Sequence, residues 1–139
     1  MIAFDVAPLF EERAGPVKPP TELSITLPLR TVSELNMHEH WRKRYDRRKK
    51  QGAHTCMMLN RETLPPLPAT VTFTRRAPRK LDVGDNLNSS MKALRDAIAA
   101  MYGVDDGSSL FDWQYEQEFL SGDYEVLLEI KSTQAEGAA

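Results

Sequence analysis

Apolar and polar residues alternate over three stretches of the chain. Leu23-Ser24-Ile25-Thr26-Leu27 puts an apolar residue at every second position and ends at Pro28, so a first strand is expected over 23–27. Ala69-Thr70-Val71-Thr72-Phe73-Thr74 repeats the pattern and predicts a second strand. Tyr124, Val126, Leu128 and Ile130 alternate with polar neighbours near the end of the chain. With Ser121-Gly122-Asp123 as the bend, residues 112–119 and 124–131 read as a closing hairpin. Between the first two strands the period changes to that of a helix. Residues 38–48 hold neither Gly nor Pro, Asn36 with Glu39 three residues on has the form of a capping box, and a long helix is expected over 36–60. Gly52 weakens it locally. Leu64-Pro65-Pro66-Leu67-Pro68 must be loop. A second helix is expected over 85–102, where Leu87, Met91, Leu94, Ile98 and Met101 share one face and Gly103 suits the position that closes a helix.

The resulting order, β-α-β-α-β-β, describes an α/β domain with a small mixed sheet of about four strands and two helices. It spans 23–132. Residues 1–22, with Pro8, Pro16, Pro19 and Pro20, read as an extended N-terminal arm, and 133–139 as a flexible tail. A length of 139 residues fits one such domain. No run approaches the ~18 apolar residues of a membrane span. The N-terminus carries acids and lacks the basic and then apolar pattern of a signal peptide. The single cysteine, Cys56, excludes an internal disulfide and a multi-thiolate zinc site, and a reducing cytoplasm is the expected location.

Charge changes the picture further. The net charge of −2 conceals a segregation: residues 30–80 hold 13 Lys and Arg against 4 acids, whereas residues 82–139 hold 12 acids against 3 bases. A polyanion is recruited by local field rather than by net charge. Arg42, Arg44, Arg47, Arg48 and Lys49, with Arg75, Arg76 and Lys80, are therefore candidate DNA phosphate contacts. Trp41 and Tyr45, four residues apart, are expected to pack against the sheet, with stacking on exposed bases as the alternative. Met57 and Met58 are expected to fill core gaps, and His54 and Cys56 to be structural. His38 and His40 point to different faces of a helix and make no metal site.

The acidic part carries the candidate chemistry. Asp82 and Asp85 flank the start of the second helix, Lys92 and Asp96 follow on one face of it, and Asp105-Asp106-Gly107 follows its end. Carboxylates without Cys or His partners select hard ions, Mg²⁺ or Mn²⁺. Such an ion beside a lysine and arginine-rich flanks is the inventory of phosphodiester hydrolysis. A continuous helix of about 17 residues would hold Asp85 and Asp106 ~25 Å apart, so a shared ion requires a fold-back or a second subunit. Taken singly, Asp85 is also an ordinary N-cap, Asp105-Asp106-Gly107 an ordinary turn, and Lys92 an ordinary solvated residue.

The spaced set Asp82-Val83-Gly84-Asp85-Asn86-Leu87, Lys92, Asp96-Ala97-Ile98 and Gly103-Val104-Asp105-Asp106 resembles the signature of the RusA-type Holliday junction resolvases, endodeoxyribonucleases of bacteria and their phages. The resemblance extends over about residues 23–132. It departs from the family in setting the first two acids three residues apart rather than two, and in placing Lys92 three residues late. The resemblance implies a RusA-like fold, a homodimer, and Mg²⁺-dependent paired nicking of four-way DNA junctions in recombination and repair. It implies Asp82, Asp85 and Asp106 as catalytic metal ligands, with Asp105 in reserve, and Lys92 as the catalytic lysine. A two-fold dimer suits a junction with approximate two-fold symmetry.

Three rival readings follow from the same residues. One is a non-catalytic DNA-binding module with a degenerate metal site. Another is a nuclease using Glu129-Ile130-Lys131 with Asp112 or Asp123. The third is an interaction protein whose segregated charges assemble head to tail, weakening with salt.

Overall fold

The computed structural model describes residues 20–32, 39–81 and 85–134. Most of the N-terminal arm, the proposed Asn36 cap, His38, Asp82 and the last five residues of the tail lie outside them.

The alternating stretches form strands β1 (Glu22–Leu27), β2 (Ala69–Ala77) and β4 (Glu125–Ser132), joined by β3 (Phe111–Phe119). The sheet order is β1-β4-β2-β3. β4 runs antiparallel to both β1 and β2, and β3 runs parallel to β2. The fold is mixed α/β with a four-stranded mixed sheet.

The closing hairpin expected from the sequence does not form. β3 and β4 are consecutive and antiparallel, but β2 lies between them. Their connection crosses the end of β2, where the Leu120 amide donates to the Ala77 carbonyl at 3.0 Å. Two strand spacings amount to roughly 10 Å, which the five residues 120–124 span easily. Gly122 at φ 76° turns the chain whether the strands pair or straddle a third, so the bend alone did not distinguish the two.

The first helix, α1 (Trp41–Leu59), starts five residues later than expected. His40 caps it, its Nδ1 accepting from the Arg42 amide at 3.1 Å. The expected second helix is two: α2 (Asp85–Ser90) and α3 (Lys92–Tyr102). The Ser89 and Ser90 hydroxyls donate to the carbonyls of Asn86 and Leu87, at 3.2 and 2.7 Å. Such local side-chain bonds compete with helix continuation, and the break falls at Met91. The apolar stripe runs across the break, since Leu87, Met91, Leu94 and Ile98 are all buried. Gly103 at φ 70° closes α3 as expected, with the Val104 amide donating back to Ala99.

The helical layer covers one face of the sheet. Val71, Phe73, Val126, Leu128 and Ile130 meet Leu87, Met91, Leu94 and Ile98 in the core. Phe73 stacks between Trp113 and Tyr115, at ring distances of 6.0 and 5.8 Å. α1 packs on α3 with an unusual inner face. Gln51 and Thr55 are buried beside Leu59. Gln51 donates to the Arg30 carbonyl and Thr55 to the Gln51 carbonyl, so both polar groups are satisfied. Trp41, Tyr45 and Met57 are instead exposed, contrary to the core packing expected of them. The buried residues of α1, Gln51, Thr55 and Leu59, all lie in its second half, whereas Trp41 and Tyr45 stand in its first two turns. No helix among the described residues is long and apolar enough to cross a membrane.

Two stability changes follow. A Cβ on Gly52 would meet its nearest atom, the Ala93 carbonyl oxygen, at 3.8 Å, an ordinary contact. Gly52→Ala is expected to stabilise the protein by about 0.5–1 kcal/mol, read as a higher urea midpoint, because helical glycine carries that entropic cost. The Tyr102 hydroxyl donates to the Pro65 carbonyl, and burial pushes its pKa from 10.0 up to about 12. The folded state holds this proton more tightly than the unfolded chain. The contribution is therefore complete below pH 10 and is lost as pH rises towards 12. Tyr102→Phe should flatten the fall in urea midpoint over that window.

Candidate active site

The inward side chains of β3 assemble the segments that carry the acids. Trp113, Tyr115 and Gln117 alternate on one face of the strand, towards the helices. The Trp113 indole Nε1 donates to the Asp106 carbonyl at 2.8 Å. Tyr115 Oη accepts from Arg95 Nη1 at 2.9 Å. Gln117 clamps Leu81 from both sides: its Nε2 donates to the Leu81 carbonyl at 2.8 Å and its Oε1 accepts from the Leu81 amide at 2.7 Å. Leu81 directly precedes Asp82. One strand thus anchors the chain just before the first acids and again at the last, over a span of roughly 13 Å from residue 113 to 117.

Asp106 does not stay at the far end of α3 but reaches Lys92, the first residue of that helix. After α3, residues 103–106 return along the helix. Lys92 Nζ donates to Asp106 Oδ2 at 3.4 Å and to Asp96 Oδ1 at 2.9 Å. Arg95 Nε lies 3.2 Å from the same Asp106 oxygen, and Arg95 Nη1 also donates to Asn88 Oδ1 at 3.1 Å. Asn88 stands three residues after Asp85 on α2. Asp106 and the α2 helix are therefore joined through one guanidinium.

The charges agree with this arrangement. Burial works against the Asp106 carboxylate, but the neighbouring Lys92 and Arg95 cations outweigh it and hold the pKa below the usual carboxylate value. The hydrogen bond to Asp96 raises the Lys92 pKa, against some desolvation, and both neighbouring aspartates reinforce it. Lys92 is thus a fixed cation at neutral pH.

Of the expected ligands, Asp106 meets Lys92, and the Asp105 carboxylate accepts from the Gly107 amide at 3.5 Å in the turn beside it. Asp82 and the Asp85 side chain lie outside the described residues. Among the described residues no three His, Cys, Asp or Glu side chains cluster tightly enough to hold a metal ion. The donors that the site does present, Asp105 and Asp106, are hard oxygens with no sulfur or imidazole beside them, which suits Mg²⁺ or Mn²⁺. Arg95, Trp113, Tyr115 and Gln117 were not singled out from the sequence. The alternation of Trp113, Tyr115 and Gln117 was their available signal.

In comparisons with known proteins, no family model and no curated protein matches the chain.

The expected phosphate contacts divide. Arg44, Arg48 and Lys49 line a groove between α1 and α3. Arg42 lies over the Trp41 ring, 5.1 Å from its centre. Arg47 donates to Glu39. Arg76 bridges Glu118 and Glu125, at 2.8 and 3.8 Å. Lys80 is exposed. Arg75 is a correction: it is 6% exposed, and its guanidinium donates to Thr31 and to the Arg79 carbonyl. Its position on the inner face of β2 commits it to holding residues 31 and 79.

Proposed function

We propose that this protein is a divalent-cation-dependent endonuclease of the RusA type. It nicks four-way DNA junctions in pairs and acts as a cytoplasmic homodimer in recombination and repair. The observation that carries the reading is the return of Asp106 to Lys92, with Arg95 and β3 tying that pair to α2 and to Leu81. It brings the last acid of the set back to the first residue of α3, as a shared ion would require. Asp82, Asp85 and Asp106, with Asp105 beside them, would hold Mg²⁺ or Mn²⁺. A bound ion would supply an activated water and neutralise phosphate charge.

The chain's own residues do the rest. Lys92, charged and pinned between Asp96 and Asp106, stabilises charge on the scissile phosphate. Arg95 orients Asp106. The basic face of α1 supplies affinity for the backbone.

The rival with most physical support is a DNA-binding module that does not cut. Asp85→Asn and Asp106→Asn separate the two. The resolvase reading expects both variants to bind a junction like the unaltered protein in a gel shift while nicking falls at least about a hundredfold. Nicking at the unaltered rate in both would refute the ligand assignment.

A further inference from the structure

Between α1 and α3 runs an open groove of about 610 Å³. Its α1 wall is one helical stripe at steps of three and four: Trp41, Tyr45, Arg48, Gly52 and Cys56, with Arg44 and Lys49 beside it. Its α3 wall is formed by the small residues Ala93 and Ala97 together with Asp96. Trp41 and Tyr45 are 64% and 55% exposed although both are large aromatics. Helices normally turn such residues inward, and α1 does the reverse, burying Gln51 and Thr55. Two exposed aromatics side by side in one groove mark a binding surface.

We infer that this groove binds an unpaired stretch of a single DNA strand, with Trp41 and Tyr45 stacking on its bases and Arg44, Arg48 and Lys49 meeting its phosphates. Three cations of the lining against the Asp96 carboxylate favour a polyanion, Arg44 also facing Glu39 at 4.0 Å. Largely exposed aromatics interleaved with those cations, Trp41 with Arg42 over its ring, favour one whose bases are unstacked, because duplex bases present no free faces. The small residues of α3 leave room for a planar ring. The groove also adjoins the candidate active site, since Asp96 of its lining accepts from Lys92. A strand held there leads to Lys92 and Asp106. The inference deepens the proposed nuclease reading and rests on its DNA-binding part, but not on cleavage.

The single cysteine supplies a probe in the unaltered protein. Cys56 is half-buried in the groove wall. Its reaction with a thiol reagent should slow severalfold when the full chain is saturated with an oligo(dT) of about ten nucleotides, a usual single-strand footprint. Blunt duplex at equal occupancy should protect it less. Trp41→Ala and Tyr45→Ala, both at exposed positions, should each weaken oligo(dT) binding about tenfold and change duplex binding by no more than about twofold. Equal losses for both DNAs, or unchanged Cys56 reactivity with oligo(dT) bound, would overturn the inference. So would protection that grows with protein concentration without DNA, which would identify a second copy as the occupant. If Cys56 is protected and no junction is nicked, the inference stands and the nuclease reading falls. If junctions are nicked while Cys56 stays reactive, the inference alone falls.

Discussion

Lys92→Met is expected to reduce junction nicking by at least about a hundredfold while leaving junction affinity within a few-fold of the unaltered protein, the usual scale for removing one preorganised electrostatic group. The side chain is partly solvent-facing, and its pair with Asp96 is an exposed i,i+4 contact worth roughly 0.3–0.5 kcal/mol, so the fold should survive. Asp106 retains Arg95 at 3.2 Å in that variant, which keeps the loop in place. The pH profile adds a second test. Because Asp96 raises the Lys92 pKa, the lysine stays charged across neutral and mildly alkaline pH, and no loss of rate from its deprotonation is expected below about pH 10. Lys92→Arg should recover part of the rate by restoring charge without the same reach. Nicking by Lys92→Met at the unaltered rate would remove the lysine from the chemistry.

Phe73→Ala is expected to destabilise the protein by about 3–5 kcal/mol, a large share of the ~5–15 kcal/mol of a typical domain. Phe73 is fully buried at the centre of β2, so little can collapse into the cavity. The effect should also reach the site. Phe73 supports the rings of Trp113 and Tyr115, whose polar tips hold the Asp106 carbonyl and Arg95. Reduced nicking is thus expected even under conditions where the variant is fully folded. Urea unfolding reads the first effect, and junction nicking well below the unfolding midpoint reads the second. A loss below about 1 kcal/mol would contradict the packing described.

The elements that could be read from sequence are those whose signal is local and unopposed. β1, β2 and β4 alternate cleanly, α3 carries a single apolar stripe, and Gly103 closes it at positive φ. What could not be read depended on distant partners. Ser121-Gly122-Asp123 turns the chain equally well within a hairpin or across the end of β2. The Ser89 and Ser90 hydroxyls break a helix whose apolar stripe continues unbroken, because the stripe reports the core and not the backbone. Trp41 and Tyr45 look like core residues by type, yet both are exposed while Gln51 and Thr55 are buried with hydrogen-bond partners. In the candidate site, Lys92 and Asp106 were legible as residue types. Their contact was not, because helix length alone set them apart and the fold-back after Gly103 is held by Trp113, seven residues past Asp106. Arg75 sat in a basic run, yet strand parity turned it inward to Thr31.

The most direct measurement is to incubate the full chain with a synthetic four-way junction, with and without Mg²⁺, and to map breaks on all four strands. Symmetric nicks on two opposing strands, present with the metal and abolished by a chelator, are the expected result. Tight junction binding with intact strands at every Mg²⁺ and Mn²⁺ concentration would contradict the account.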